Sequence, residues 1–250
     1  MEVKMASSNI VYGVHAVKAA LLQHGDIIVN ATIVEGKLDF ALTEILKLAK
    51  KHNIDVRRTS KDTITKIAGS KQHQGVVLTL NNITSYGHAE LLDEIESLEP
   101  GKHLKLLILD EVQDPHNLGA CLRSADAFGV HAIIVPKNRA AHVNATVRKV
   151  ACGAAEVVPV VVVTNLARAI KELQDLGFWI IGTAADAKDT LANIDTKQNL
   201  AIVLGAEGDG MRRLTKEACD QLVKIPMQGY VSSLNVSVSA GVILYHLSVN

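Results

Sequence analysis

Three short segments in the second half of the chain gather side chains able to bind or redistribute charge. The first, Asp110-Glu111-Val112-Gln113-Asp114-Pro115-His116-Asn117-Leu118-Gly119, leads into Arg123. Pro115 breaks the chain, and Asn117 has the side chain of a helix N-cap. On the helix expected to follow, Leu118, Cys121, Leu122 and Ala125 share one stripe and Arg123 points away from it. An arginine at a ligand-binding edge can grip a phosphate through two parallel N–H bonds. The second segment is Leu204-Gly205-Ala206-Glu207-Gly208-Asp209-Gly210, whose glycines let a ligand come close to the backbone. The third joins Ile225-Pro226-Met227 to Ser232-Ser233-Leu234-Asn235-Val236-Ser237-Val238-Ser239-Ala240-Gly241. It places Asn, Ser and Val, all poor helix formers, in the first turns of a terminal helix that Ser233 would cap, so something other than propensity must hold them. Each segment also has a plainer reading: a capped helix with a solvated Arg, a turn carboxylate at Glu207, a serine-rich helix start.

The elements that must position these segments are legible as alternating patterns. Apolar runs at 106–109, 132–135, 157–163, 179–181, 201–204 and 222–225 are short, unalternated and mostly β-branched, as befits strands buried on both faces of a parallel sheet. Helical patterns over 118–128, 143–152, 166–176 and 234–247 separate most of them. The order predicts an open α/β sheet whose ligands sit beyond the carboxyl ends of its strands, where the three segments fall. The glycine spacing is GxxGxG rather than the GxGxxG of dinucleotide sites, and the chain has no GK[ST] of a P-loop. A nicotinamide-dependent oxidoreductase is therefore disfavoured.

Upstream, residues 10–82 read as a small α/β unit with helices over 14–22, 40–52 and 61–68 and strands over 27–35, near Val56 and over 76–80. The predicted layout is a flexible tail over 1–9, this unit, a linker over 83–103 and the α/β sheet unit over 104–250. Within the linker, residues 85–101 carry five acids and no base, with a short helix expected across 89–98.

Composition narrows the function classes. The chain has 250 residues, 48% hydrophobic and 21% charged, which excludes a disordered protein. Aromatic residues make up only 3%, which argues against gripping single strands with rows of stacked rings. Lys plus Arg equals Asp plus Glu at 26 each, so any nucleic-acid contact must come from local patches. One such patch spans 47–74, with eight Lys/Arg against two Asp. It includes Arg57, Arg58 and Lys61, and His73 and Gln74 lie in its terminal loop. A second holds Lys137, Arg139, Arg148 and Lys149 with no acid between. Three cysteines without a CxxC suggest neither zinc nor a disulfide framework, and no metal is expected. With no bilayer-length apolar run and no signal peptide, a cytoplasmic protein is expected.

Taken together, DPHNLGACLRSADAFG, LGAEGDGMRRL and IPMQGYVSSLNVSVSAG resemble the three motifs of the SpoU (TrmH) family of RNA ribose methyltransferases. The opening of the first unit, Tyr12-Gly13-Val14-His15-Ala16-Val17, is similar to that family's L30e-like substrate-binding domain. The match is nearest to the bacterial 23S rRNA (guanosine-2′-O)-methyltransferases. The resemblance implies a C-terminal α/β-knot, mostly parallel, with a deep trefoil knot that binds S-adenosylmethionine (SAM). It also implies a homodimer and a role for Asn117, Arg123, Glu207, Ser233 and Asn235 in methyl transfer. Cofactor contacts fall by position on Gly205, Ile225 and Leu234, with Thr183, Leu204 and Met227 beside them. The basic residues Arg57, Arg58, Lys61, His73, Arg148 and Lys149 then become expected RNA contacts. A tRNA ribose as substrate, or an RNA-binding protein that keeps the fold without turnover, remain open alternatives.

Overall fold

The computed structural model describes residues 10–81, 86–97, 103–206 and 208–249; the tail over 1–9 and parts of the linker lie outside them. Two compact units emerge. One gathers the chain before residue 85 together with His142–Val157, and the other gathers 85–141 and the chain from Val158 onward.

The first unit runs β1 (Ile10–Tyr12), α1 (Val14–Gln23), β2 (Ile28–Val34), α2 (Phe40–Lys51), β3 (Val56–Thr59), α3 (Lys61–Ala68) and β4 (Val76–Leu80). Its helices begin where the sequence supplies caps. Asp39 Oδ1 accepts from the Leu42 N–H at 2.8 Å to start α2, and Ser60 Oγ accepts from the Thr63 N–H at 3.3 Å to start α3. The sheet order is β1-β4-β2-β3, with only β2 and β3 parallel. Alternation along the strands divides the core in two. Val11, Ala31, Ile33, Val76 and Leu78 pack with α1 and α2, while Ile10, Tyr12 and Val77 pack with Ile64 and Ala68 of α3.

The second unit begins with α4 (His88–Glu96), β5 (Lys105–Leu109), α5 (Pro115–Ala127) and β6 (Ala132–Pro136). The chain then contributes α6 (Ala145–Val150) to the first unit, where Ala145 packs on the Ile10, Tyr12 and Ile64 cluster. The 142–157 segment was expected within the α/β sheet unit, as a helix over 143–152. Instead its apolar residues cover the first unit: a Cβ built on Gly153 would stand 2.9 Å from the Ala19 Cβ of α1. The remaining elements are β7 (Val160–Val163), α7 (Leu166–Asp175), β8 (Phe178–Thr183), β9 (Asp189–Thr190), β10 (Asn199–Leu204), α8 (Arg213–Glu217), β11 (Gln221–Lys224) and α9 (Val236–Val249).

Seven strands form one sheet in the order β7-β6-β5-β10-β8-β11-β9, and every neighbouring pair is parallel. β5, β6 and β10 are buried almost throughout, which explains why they read as unbroken apolar runs. On one face Leu106, Ile108, Ile134, Ile180 and Val203 meet Leu166, Ile170 and Leu173 of α7 and Leu91 of α4. α5 and α9 pack on each other. β10 enters between β5 and β8, so late-made chain must return to the middle of the sheet. No helix among the described residues is long and apolar enough to cross a membrane.

Two helix starts differ from expectation. The cap of α5 is Asp114, whose Oδ1 accepts from the His116 N–H at 2.9 Å, with Pro115 in the first helical position; Asn117 therefore lies inside the helix. α9 starts at Val236 and is capped by Asn235, not Ser233: Asn235 Oδ1 accepts from the Ser237 N–H at 2.9 Å. β7 begins at Val160 rather than 157, after Pro159, which has no ladder donor.

Candidate functional site

The strand order leaves a cleft of about 1010 Å³ beyond the carboxyl ends of β8, β10 and β11, at the upper end of the range for small-molecule sites. Four stretches of chain build it. Thr183 to Asp186 follow β8, and Leu204 to Met211 follow β10. Val223 to Met227 end β11, and Ser232 to Val236 lead into α9. Thr183, Leu204, Gly205, Ile225, Met227, Leu234, Ser233 and Asn235, drawn from across 53 positions of sequence, all line it.

The wall after β10 is a tight reversal. Ala206 and Gly210 exchange both backbone hydrogen bonds, at 3.1 and 3.0 Å. Gly205 is pressed against the returning strand of this hairpin: a Cβ there would stand 2.1 Å from Gly210 C and 2.2 Å from Met211 N. No side chain fits without moving backbone. Thr183 ties β8 to β10 by donating its hydroxyl to Val203 O at 3.1 Å. Gly241 on α9 is not pressed in this way, since a Cβ there would meet only Ser124 Oγ at an ordinary 3.6 Å.

The first and third segments are joined directly. Asn235 Nδ2 donates to Asn117 Oδ1 at 3.0 Å, while Asn235 Oδ1 accepts from the Ser237 backbone and hydroxyl at 2.9 and 2.6 Å. One amide thereby starts α9 and anchors α5. Ser233 is exposed at the cleft, and Arg123 is exposed on α5, away from the buried Leu118, Cys121, Leu122 and Ala125. Glu207 lies outside the described residues. Thiol chemistry is not supported here, because burial pushes both Cys121 and Cys219 up to about 12.

The cleft has apolar walls from Leu204, Ile225, Pro226, Met227, Leu234 and Val236, with ionic groups at Asp186, Asp209, Lys216 and Lys224. Apolar surface suits a purine and a thioether-like chain, and flanking charges of both signs suit an amino-acid zwitterion, so the residues present fit SAM. Lys216 Nζ already bridges to Asp186 at 2.9 and 3.0 Å, and this hydrogen bond holds the Asp186 carboxyl below its ordinary value.

Sequence reading missed one cluster. Asp110, fully buried directly after β5, accepts from the Arg212 backbone N–H at 2.9 Å and from its Nε at 2.7 Å. The cue was present, because a carboxylate closing an apolar strand needs a partner when buried.

The expected RNA contacts divide. Arg57 and Arg58 are exposed on β3, an edge strand, with Arg57 paired to Asp55 at 3.1 Å, and Lys61 is exposed at the start of α3. Lys149 is half-buried and hydrogen-bonded to Gln72. Two others are structural instead. His73 is wholly buried: its Nδ1 accepts from the Gly75 N–H at 3.0 Å and its Nε2 meets Thr65 Oγ1 at 3.1 Å. Arg148 is buried in an ion pair with Glu156, which His24 also approaches at 3.3 Å. Burial pushes the Glu156 carboxyl up, but contacts from His24 and Arg148 outweigh it and leave it below the ordinary range. Gln74 is likewise engaged, its Oε1 accepting from the Val14 N–H at 3.1 Å. Of the second basic patch, Lys137 and Arg139 belong to one unit and Arg148 and Lys149 to the other.

A parallel sheet with its cleft at these strand ends, and a small mixed-sheet unit before it, is the architecture of SpoU-type methyltransferases. The fold aligns with the SpoU methyltransferase AviRb from Streptomyces viridochromogenes in complex with AdoMet, with a TM-score of 0.76 and 23% identity, covering 96% of this chain and 88% of that one. The α/β-knot class implied by the motifs is thus the class of the structure.

The chain belongs to the SpoU rRNA methylase family, whose profile matches residues 105–245. The profile described as RNA 2′-O ribose methyltransferase substrate binding matches residues 10–85. The 23S rRNA (guanosine-2′-O-)-methyltransferase RlmB of Neisseria meningitidis serogroup B is 52% identical over 241 residues, covering 96% of this chain and 94% of that protein. RlmB of Escherichia coli K12 is 47% identical over 238 residues, covering 95% and 97%.

Proposed function

We propose that this protein transfers a methyl group from SAM to the ribose 2′-oxygen of a guanosine in 23S rRNA. The observation that carries the reading is convergence: seven residues chosen from the three motifs, with Thr183 beside them, line a single cleft, and Asn117 is hydrogen-bonded to one of them. The near full-length kinship to enzymes named for that reaction supplies the substrate.

The donor brings a methyl group already activated on a sulfonium, so the protein's task is alignment and management of the hydroxyl proton. The guanidinium of Arg123 offers N–H donors and no acceptor site, so it is unsuited to taking the hydroxyl proton. It therefore serves as a clamp on the phosphate beside the target and stabilises negative charge growing on the 2′-oxygen. The Asn235–Asn117 pair fixes α5, which carries Arg123, against the chain that holds Ser233 at the cleft. Ser233 offers a hydroxyl to the ribose. Glu207 is the residue assigned to orient the donors or take the proton.

RNA would be held by the first unit, where Lys47, Lys50, Lys51, Arg57, Arg58, Lys61, Lys66 and Lys71 are all exposed. The protein would act as a cytoplasmic homodimer joined through α9, whose Val238, Val242, Tyr245 and Val249 expose one apolar stripe at helical spacing. The test is transfer of labelled methyl from SAM to 23S rRNA lacking the modification, followed by nucleoside analysis. Label recovered in 2′-O-methylguanosine supports the reading. Label in a base, in another nucleoside, only in tRNA, or nowhere refutes it.

A further inference from the structure

We infer that Asp110 and Arg212 form a clamp that sets the shape of the donor cleft, making both of them positioning residues for the reaction; the ligand side of this inference rests on the function proposed above.

The carboxylate of Asp110 is 0% exposed, whereas the Arg212 side chain is 44% exposed. A charge so buried is costly unless it is paired and hydrogen-bonded, and Asp110 is satisfied almost wholly by one residue. Its Oδ2 takes the Arg212 backbone N–H at 2.9 Å, and its Oδ1 takes Nε and Nη2, each at 2.7 Å. These are charge-assisted contacts in which two nitrogens of one planar guanidinium converge on a single oxygen while the backbone takes the other, an arrangement that a lysine ammonium does not reproduce. The Asp110 backbone adds a third tie, its N–H donating to Leu204 O at 2.8 Å.

The location gives these contacts their meaning. Leu204 and Arg212 bracket the hairpin that forms one wall of the cleft, with Gly205 and Met211 as its inner neighbours. Asp110 thus holds both ends of that hairpin from the end of β5. Four residues further on, Asp114 caps α5, the helix of Asn117 and Arg123. One buried carboxylate therefore references the donor wall and the root of the catalytic helix to the same point on the sheet. Arg212 itself stands outside the cleft, so its effect on the ligand passes through the hairpin.

The test uses the full-length protein with Arg212→Ala, Arg212→Lys and Asp110→Asn. Hydrogen exchange reads the clamp without any ligand: the Ala206 and Gly210 amides, paired across the hairpin, should exchange at least about tenfold faster in Arg212→Ala. S-adenosylhomocysteine titration reads the consequence, with Kd expected to weaken about tenfold, the worth of one charge-assisted hydrogen bond. The KM for SAM should rise while kcat at saturating SAM and donor-free RNA affinity stay within about twofold. Asp110→Asn, which keeps an acceptor for the backbone N–H, should lie between wild type and Arg212→Ala, and Arg212→Lys should not restore affinity. Unchanged hairpin exchange overturns the clamp whatever the ligand does. Faster exchange with unchanged donor affinity overturns its positioning role, as does RNA affinity falling in step with donor affinity. Failure of the wild-type protein to bind S-adenosylhomocysteine would strike the proposed function, leaving the exchange measurement to decide the clamp.

Discussion

Replacing Gly205 by alanine adds one methyl group where the chain has no room for it. The new Cβ would stand 2.1 Å from Gly210 C, 2.2 Å from Met211 N and 2.4 Å from Gly210 O. Carbon atoms prefer about 3.5–4.0 Å, so the returning backbone must retreat by more than about 1 Å. A flexible side chain could swing aside, but here the obstacle is main chain. Overpacking of this kind costs about 1–3 kcal/mol, and opening the Ala206–Gly210 bonds adds about 1 kcal/mol each. A total of at least about 3 kcal/mol, borne by the wall of the cleft, divides between the donor-free fold and donor binding; all of it on binding would be about a hundredfold in affinity. The assay is calorimetric titration with S-adenosylhomocysteine beside thermal unfolding of the same variant, where all of it on the donor-free fold would lower Tm by about 6–12 °C. Gly241→Ala is the control: it lies inside α9 with an ordinary 3.6 Å neighbour, so alanine should stabilise by about 0.5–1 kcal/mol through helix propensity. A Gly205→Ala protein with native donor affinity and native Tm would refute the steric reasoning.

Arg123→Ala should lower methyl transfer at least about a hundredfold while changing S-adenosylhomocysteine affinity less than about twofold; a large loss of donor binding would show the residue misplaced. Arg57→Glu with Arg58→Glu should weaken RNA binding and reduce the salt dependence of log K by about 1.5–2, read by filter binding across a salt series. Burial and the nearby Lys61 hold the buried His73 imidazole below its usual value. The unfolded chain therefore binds a proton near pH 6.5 before the folded one does, so stability should fall as pH drops below about 6.5. Denaturant midpoints for wild type and His73→Gln between pH 7.5 and 5.5 check this; the variant should lose part of the slope.

The long elements were readable because their signals are local. α3 lies where a cap and a closing glycine put it, and β5, β6 and β10 are apolar runs that only a doubly covered sheet can bury. The strands and helix that escaped notice are the three residues of β1, the two of β9 and the five of α8, too short to show a period. Site residues taken from motifs met in space, yet spacing alone could not say which asparagine caps a helix. Asp114 is as good a cap as Asn117, and Pro115 in the first helical position decides between them. Histidine and arginine misled for a different reason. Sequence records the polarity of His73 and Arg148 but not the partners, Thr65 and Gly75 for one and Glu156 for the other, that make burial tolerable.

The loan of residues 142–157 to the first unit has a bearing on how the molecule is made. On the ribosome, its four strands and three early helices emerge long before Gly153 and Glu156 can settle over α1 and His24. The N-terminal half must therefore wait, incomplete, while β5, α5 and β6 are translated, so this protein departs from the usual sequence in which an upstream domain finishes before a downstream one begins. A fragment ending at the acidic linker would be missing a piece of itself.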